Sequence, residues 1–205
     1  QWSRDGKFFA FLSNRDAGEG KTTNQLYVMR ADGGEALKVS DAKDGVGTFA
    51  FSKDGKWLAF TAGKEDERQL WTASVEDVWK EKPKQLMKRK SPIVSWQFSP
   101  DSKRIYFASA DSVDKANKDR KDKKFDARLR NEETPANHLW AFDLDSKKES
   151  RLTSGNEYTV SDVTISHDSK WLGYRGTSAN RYKRTVTESS NYADIYLLDV
   201  SSGSI

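Results

Sequence analysis

Residues Phe98–Phe107 read Phe-Ser-Pro-Asp-Ser-Lys-Arg-Ile-Tyr-Phe, which is a short polar turn followed by an apolar run. The same decapeptide begins at three other places in the chain, at Trp2, Phe51 and Ile165. All four copies keep serine at the second position, aspartate at the fourth and lysine at the sixth, and the fifth position is glycine or serine. Because a repeated supersecondary unit buries its apolar face only against neighbouring copies, this repeat decides the fold.

Each repeat contains the pattern of four short strands. One apolar segment precedes the turn, the run after the lysine forms a second strand, and a third follows, as in Gln25–Met29 and His138–Phe142. A polar turn and a short fourth strand such as Ala36–Val39 complete the unit. The Asp-Gly or Asp-Ser pair between the first two strands suits a tight two-residue hairpin turn. Four short antiparallel strands per repeat predict an all-β fold, a β-propeller built from four-stranded antiparallel blades, with almost no helix.

The spacing of the repeats suggests a partial ring. The decapeptide serines lie 49, 47 and 67 residues apart, and blade periods are about 40–50 residues. The third interval is long because residues 110–137 form an insertion within the blade. Closed propellers need about 4–8 blades, whereas this chain has about three and a half. We therefore expect residues 1–205 to form one partial propeller, with repeats starting near 2, 51, 98 and 165, that belongs to a larger ring.

The decapeptide, together with Leu-Tyr-Val-Met-Arg-Ala-Asp-Gly-Gly-Glu at Leu26–Glu35, resembles the TolB-like propeller repeat. That repeat occurs in the periplasmic protein of the Tol system and in the N-terminal propeller of prolyl oligopeptidase family serine peptidases. The insertion, followed by Arg128–Pro135 and the strand at His138, is similar to bacterial peptidases of the dipeptidyl or acylaminoacyl type. The resemblance covers essentially the whole chain. It implies a propeller that caps a C-terminal α/β-hydrolase domain and limits access to short peptides.

The chain itself carries no catalytic set. Peptidases of this family place their catalytic serine in a Gly-x-Ser-x-Gly turn, and that pattern is absent from these residues. We therefore expect no catalytic residue within residues 1–205, and the resemblance places the hydrolase domain beyond them. The alternative is a stand-alone TolB-like periplasmic propeller that binds partner proteins. A third reading, a sugar-lyase-type propeller with a metal site, is disfavoured by the presence of only two histidines.

The insertion concentrates positive charge. Residues 115–130 contain eight basic and three acidic residues, a net charge of +5. One reading is a solvated loop, since runs of charge are usually exposed. The other reading is an ordered second half, anchored by Phe125 and Leu129, whose charged residues contact a peptide substrate or the hydrolase domain. The candidate contact residues are Arg128, Arg130, Glu132 and Glu133.

Topology predicts which end of the blades is the working face. In a four-stranded meander the loops after the second and fourth strands emerge together, at the end opposite the decapeptide turns. The longest loops, residues 12–24, 110–137 and 175–193, all follow a second strand. Because function usually lies where loops are elaborated on a rigid scaffold, we expect this rim to carry the function.

Composition limits the remaining possibilities. The 35 basic and 31 acidic residues leave a net charge of only +4, and we expect no binding of nucleic acid. Cysteine is absent and the two histidines are distant in sequence, so we expect no metal and no cofactor. His138 is expected to be packed and His167 exposed. No apolar run approaches the ~20 residues of a membrane span.

Partners and location follow from the resemblance. It implies that the partners are a peptide substrate and the hydrolase domain of the same chain, with homo-oligomer formation left open. It favours a periplasmic or secreted location over the cytoplasm. The tryptophans should pack between blades rather than form a stacking platform for a ligand. Those considered are Trp57, Trp71, Trp79 and Trp96.

Overall fold

The computed structural model describes residues 1–18, 22–112, 115–125, 135–178 and 193–205. Its strands are β1 (Phe8–Ser13), β2 (Gln25–Arg30), β3 (Leu37–Lys38), β4 (Val46–Phe51), β5 (Trp57–Ala62), β6 (Gln69–Ser74), β7 (Lys84–Gln85), β8 (Ser95–Phe98), β9 (Arg104–Ala110), β10 (Asn137–Asp143), β11 (Glu149–Arg151), β12 (Tyr158–Ile165), β13 (Trp171–Ser178) and β14 (Ala193–Asp199). One helix, α1 (Lys115–Asp122), lies in the insertion.

The strands form four antiparallel meanders in which neighbours in sequence pair in space. Two sheets have four strands, in the orders β4-β5-β6-β7 and β8-β9-β10-β11, and two have three, β1-β2-β3 and β12-β13-β14. Trp2 makes an isolated antiparallel bridge to Phe9 of β1. The prediction of an all-β fold made of four-stranded antiparallel propeller blades is confirmed.

The decapeptide forms the same hydrogen-bonded turn in each sheet. In the second copy the Ser52 hydroxyl donates to Asp54 Oδ1 at 2.6 Å and accepts the Trp57 backbone N–H at 2.9 Å. Asp54 Oδ1 also accepts the backbone N–H of Lys56 at 3.1 Å. The serine and aspartate that recur in every repeat therefore supply hydrogen bonds to backbone N–H groups of the turn that lack a partner in the sheet. Ser3–Asp5, Ser99–Asp101 and Ser166–Asp168 make the equivalent side-chain bond at 2.7, 2.5 and 2.6 Å.

This turn is longer than the two-residue hairpin that the sequence suggested. Five residues separate β4 from β5, and the Gly55 N–H closes the first part of the turn on the Ser52 carbonyl at 3.0 Å. The fifth position of the decapeptide has a left-handed backbone in every copy. The φ values are 68° at Gly6, 75° at Gly55, 59° at Ser102 and 62° at Ser169. The prediction of a two-residue turn is wrong because the serine and aspartate side chains stabilise a wider loop.

The chain divides into two compact units, each with its own core. The first unit contains residues 1–93 and 98–102, and the second contains residues 94–97 and 103–205. Alternate strand residues such as Leu26, Val28 and Leu58 fill the first core, where each is at most 1% exposed. Leu139 and Leu172 lie in the second core and are fully buried. Truncating one of these leucines to alanine costs about 2–5 kcal/mol, so the cores hold the sheets together.

Two expectations about aromatic residues need correction. Trp71 and Trp79 pack against the first core as predicted, but Trp57 is 37% exposed. Trp57 is the first residue of β5, beside the open turn, which explains its exposure. Phe125 was expected to anchor the insertion, yet its side chain is 60% exposed. It follows the polar helix α1, whose residues offer no apolar face against which the ring could pack.

The helix itself differs from the loop expected there. Its eight residues, Lys-Ala-Asn-Lys-Asp-Arg-Lys-Asp, include lysine, alanine and arginine, which favour helical backbone over extended chain. In the part of the chain that the structure describes, no helix is long and apolar enough to cross a lipid bilayer.

Candidate functional site

Each sheet has two distinct ends, which we call the turn end and the loop end. In the third sheet, β9 starts at Arg104 directly after the decapeptide turn and finishes at Ala110, which pairs with Asn137 of β10. The turn end therefore holds the decapeptide, and the loop end holds the connection between β9 and β10. The long connections between β1 and β2 and between β13 and β14 start at the same end of their own sheets.

The four predicted contact residues cannot be placed. Arg128, Arg130, Glu132 and Glu133 lie outside the described residues, and so does Leu129. Their contact with a peptide or a hydrolase domain stays a prediction. The described residues on either side of them do show how the insertion joins the third sheet.

A charged cluster holds the base of this insertion. Arg151 of β11 donates from Nη1 to Asp111 Oδ2 at 2.6 Å and from Nε to the Thr153 carbonyl at 2.7 Å. Its Nη2 lies 3.2 Å from Nδ1 and 3.0 Å from Nε2 of His138. Asp111 is the first residue after β9, so Arg151 ties the start of the insertion to the outer strand β11.

His138 serves this cluster as a neutral, packed side chain. Only 4% of the residue is exposed, as the sequence predicted. Because the guanidinium of Arg151 can only donate, the imidazole beside it must offer a lone pair. Burial lowers the pKa of His138 below its ordinary value, and the positive charge of Arg151 lowers it further. The second histidine, His167, is exposed in the turn of the fourth sheet, also as predicted.

The loop end of the first sheet has a similar anchor. The buried Tyr27 donates its hydroxyl hydrogen to Asp16 Oδ2 at 2.6 Å, and the Arg15 guanidinium lies 4.6 Å from the centre of the Tyr27 ring. Arg15 Nη2 also donates to the Ala36 carbonyl at 3.0 Å. Burial raises the pKa of Tyr27, and the hydrogen bond to Asp16 adds to the rise. The first residues of the 12–24 loop are thereby fixed to β2.

Arg68 is the cation at the loop end of the second sheet, and sequence reasoning missed it. Its guanidinium packs against Gly47 of β4, where an added Cβ would lie 2.9 Å from Arg68 Nη1 and 3.0 Å from Thr61 Oγ1. Arg68 Nε is buried and has no hydrogen-bond partner among the described residues. The one sequence signal for this arrangement is a glycine early in a first strand, which marks close approach of another group.

The first unit also contains a cavity of about 630 Å³. Phe60, Trp71 and Ala62 provide an apolar wall. Lys38, which pairs with Asp41 at 2.9 Å, is one of three lysines in the lining. The other lining residues are Val39, Ser40, Ala42, Lys43, Gly63, Lys82 and Pro83. The volume is in the range of small-ligand sites, and the excess of lysines over acidic residues favours an anion.

These clusters can hold charged groups but do not form a catalytic set. Among the described residues there is no group of three or more His, Cys, Asp and Glu side chains that could hold a metal ion. His138, which is occupied by Arg151, has no serine nucleophile among the hydrogen-bond partners that the structure describes for its ring. The chemistry that the described clusters support is binding of anions and of polar peptide groups.

Comparison with known proteins identifies relatives for this architecture. No family model matches the chain. An uncharacterized peptidase of Bacillus subtilis, YuxL, is 39% identical over 61 residues, which are 30% of this chain and 9% of that protein. The chain is thus much shorter than this curated relative.

Solved structures match over almost the whole chain. A prolyl endopeptidase structure matches with a TM-score of 0.63 and 17% identity, covering 99% of this chain and 28% of that one. The β-propeller domain of the trilobed protease from Pyrococcus furiosus gives 0.61 and 15%, covering 98% and 55%. TolB from Acinetobacter baumannii gives 0.59 and 19%, covering 98% and 40%. The chain spans less than two thirds of each, and at these identities the likeness concerns the fold.

The repeat, the sheet order and these neighbours agree. The resemblance to TolB-like propellers and to propellers of peptidases, which the decapeptide indicated, is confirmed. The chain therefore has the TolB-like β-propeller fold, in which four antiparallel sheets repeat one serine- and aspartate-braced turn.

Proposed function

We propose that this chain is the non-catalytic propeller portion of a serine peptidase and that it limits access of short peptides to an α/β-hydrolase domain in the same polypeptide. The observation that carries the proposal is the 39% identity over 61 residues with a protein described as a peptidase. Identity to the solved structures does not separate the two functions, since it is 17% for the prolyl endopeptidase and 19% for TolB, so the choice rests on the curated match.

The arrangement of the loop ends supports the same role. Long connections leave the loop end of the first, third and fourth sheets, and Arg15, Asp111 and Arg151 fix the bases of two of them. A rigid sheet end with anchored loops can offer charged contacts to an incoming peptide without reshaping the cores. On this proposal Arg128, Arg130, Glu132 and Glu133 contribute to those contacts.

The first test is chemical labelling. The full-length polypeptide that contains residues 1–205 should react with a fluorophosphonate, which modifies an activated serine, and should hydrolyse short chromogenic peptides. Residues 1–205 produced alone should do neither, because they contain no Gly-x-Ser-x-Gly turn. A full-length polypeptide that is neither labelled nor active would contradict the proposal.

A second candidate function is a stand-alone propeller that binds proteins, as a TolB-like module. The observation that favours it is the match to TolB over 98% of this chain. A protein that is inert toward fluorophosphonate and peptides, yet retains a defined partner protein through size-exclusion chromatography, would support this second function.

A further inference from the structure

The second and fourth sheets each carry a β-bulge at the same place in the repeat. In the second sheet the register shifts between Val46 and Phe49, and in the fourth it shifts between Ser161 and Thr164. Thr48 and Asp162 lie inside these bulges, each four residues before its decapeptide serine. Bulges commonly redirect side chains beside functional sites, so the two can be compared position by position.

The fourth sheet fills its bulge with an ion pair. Arg175 Nη1 of β13 lies 3.8 Å from Asp162 Oδ2, and Asp162 has a left-handed φ of 52° that turns it out of the ladder. The position equivalent to Arg175 in the second sheet is Thr61, nine residues after the serine in both repeats. The repeat therefore places an arginine and a carboxylate together at the bulge of the fourth sheet.

The second sheet has two threonines and a cation from another strand connection at this place. Thr48 and Thr61 replace the charged pair, with their hydroxyls 3.1 Å apart. Arg68 immediately precedes β6 and packs its guanidinium on Gly47, where the missing side chain makes room for it. Its buried Nε has no hydrogen-bond acceptor among the residues that the structure describes.

We propose that Arg68 binds the carboxylate of a short peptide at the bulge of the second sheet. A guanidinium offers a rigid fork of N–H donors that matches a carboxylate with two hydrogen bonds. The hydroxyls of Thr48 and Thr61 lie beside it as further polar partners. The choice of a peptide rests on the proposed function, whereas the choice of a carboxylate rests on the geometry of Arg68 alone.

The test measures peptide binding by calorimetry to the full-length protein after fluorophosphonate treatment, which prevents hydrolysis of the probes. The probes are the tripeptide Ala-Ala-Phe with a free C-terminal carboxylate, the same tripeptide as its amide, and N-acetyl-aspartate amide. The free tripeptide should bind at least tenfold more tightly than its amide. If the aspartate derivative binds as well as the free tripeptide, the carboxylate can come from a side chain; if it does not, the site is selective for a C-terminus.

Three variants decide whether Arg68 is responsible. Arg68→Gln should raise the dissociation constant of the free tripeptide at least tenfold and leave the amide unchanged, while Arg68→Lys should retain part of the binding. Gly47→Ala keeps the charge but displaces the guanidinium, and it should also weaken binding. Arg4→Gln removes an exposed arginine at the turn end of the same unit and should change binding less than twofold.

Two outcomes would overturn the inference. One is binding of the free tripeptide by Arg68→Gln within twofold of the unaltered protein. The other is loss of binding in Lys43→Gln and Lys82→Gln instead, which would place the carboxylate in the 630 Å³ cavity. Fluorophosphonate labelling tests the peptidase proposal separately, so a labelled protein with no effect at Arg68 defeats this inference alone.

Discussion

The turn end and the loop end of the sheets are built in opposite ways. At the turn end, serine donates to aspartate in all four copies, and the fifth residue has the same left-handed backbone. At the loop end the first three sheets have different clusters: Tyr27 with Asp16, Arg68 on Gly47, and Arg151 with Asp111 and His138. The turn end therefore repeats one hydrogen-bonded turn, whereas the charged groups at the loop end differ from sheet to sheet.

This difference separates residues that hold the scaffold from residues that can bind. A change at the turn end should lower the free energy of unfolding and leave binding intact in the folded fraction. A change at the loop end should weaken binding and leave the free energy of unfolding unchanged, except where it removes one of the anchoring contacts. The predictions below challenge that division, starting with the largest expected effect.

The largest effect is expected from the insertion. If Arg128 and Arg130 bind the peptide, changing them to alanine in the full-length protein should lower kcat/KM for short peptides by a factor equivalent to about 2–5 kcal/mol, because truncating one partner of a buried charged contact leaves the other unpaired. Glu132→Ala and Glu133→Ala should act in the same direction. The urea midpoint of unfolding should stay unchanged.

Lysines of the same insertion supply the control. Lys118 and Lys124 are exposed, and their change to alanine should alter kcat/KM by a factor equivalent to less than about 0.5 kcal/mol. Equal and negligible effects from the arginine and lysine variants would show that the whole insertion is a solvated loop.

The next effect concerns the serine of the decapeptide. Ser52→Ala should lower the free energy of unfolding by about 1–3 kcal/mol, because it leaves the backbone N–H of Trp57 without its side-chain acceptor and removes one of the two donors to Asp54 Oδ1. Ser112→Ala makes the same chemical change at an exposed position of the loop end and should cost less than about 0.5 kcal/mol. Equal costs in urea unfolding would contradict the division between the two ends.

The fifth position of the decapeptide should respond with opposite signs in different copies. Gly55→Ala should cost about 1–2 kcal/mol through backbone strain alone, since no atom lies within 4 Å of the added Cβ. Ser169→Gly should instead be neutral or stabilising by up to about 1 kcal/mol, because it relieves the same strain at φ 62°. A loss of stability in both variants would show that the serine side chain matters more than the backbone.

The smallest effect is the pH dependence of the His138 anchor. Since the folded pKa of His138 is lowered below its ordinary value of 6.5, the unfolded chain takes up a proton more readily. The stability of the second unit should therefore fall as the pH drops below 6.5 and level off below the folded pKa. His138→Gln should abolish this component, measured as the difference between the two proteins in urea at pH 7.5 and 5.5. Parallel curves for both proteins would contradict it.

The sequence predicted the scaffold well because each repeat depends on residues that are close together in the chain. The alternation of apolar residues and the fourfold turn predicted every sheet and the packing of His138. It did not predict Arg68 at Gly47, because that approach depends on a bulge and on a residue 21 positions away in sequence. It also misjudged Trp57 and Phe125, since apolar character alone does not reveal whether a packing surface is present beside them.

Strand β9 allows a direct test of whether the loop end is the working face. Lys103 precedes β9 and Ser112 follows it, so at ~3.3 Å per residue the seven-residue strand separates them by more than about 20 Å. Residues 1–205 contain no cysteine, which permits a single polyethylene glycol chain to be attached through Ser112→Cys or Lys103→Cys in an otherwise cysteine-free full-length protein. The polymer at position 112 should slow hydrolysis of short peptides several-fold, and the polymer at position 103 should change it less than twofold. Equal slowing from both ends, or slowing only from position 103, would contradict the account.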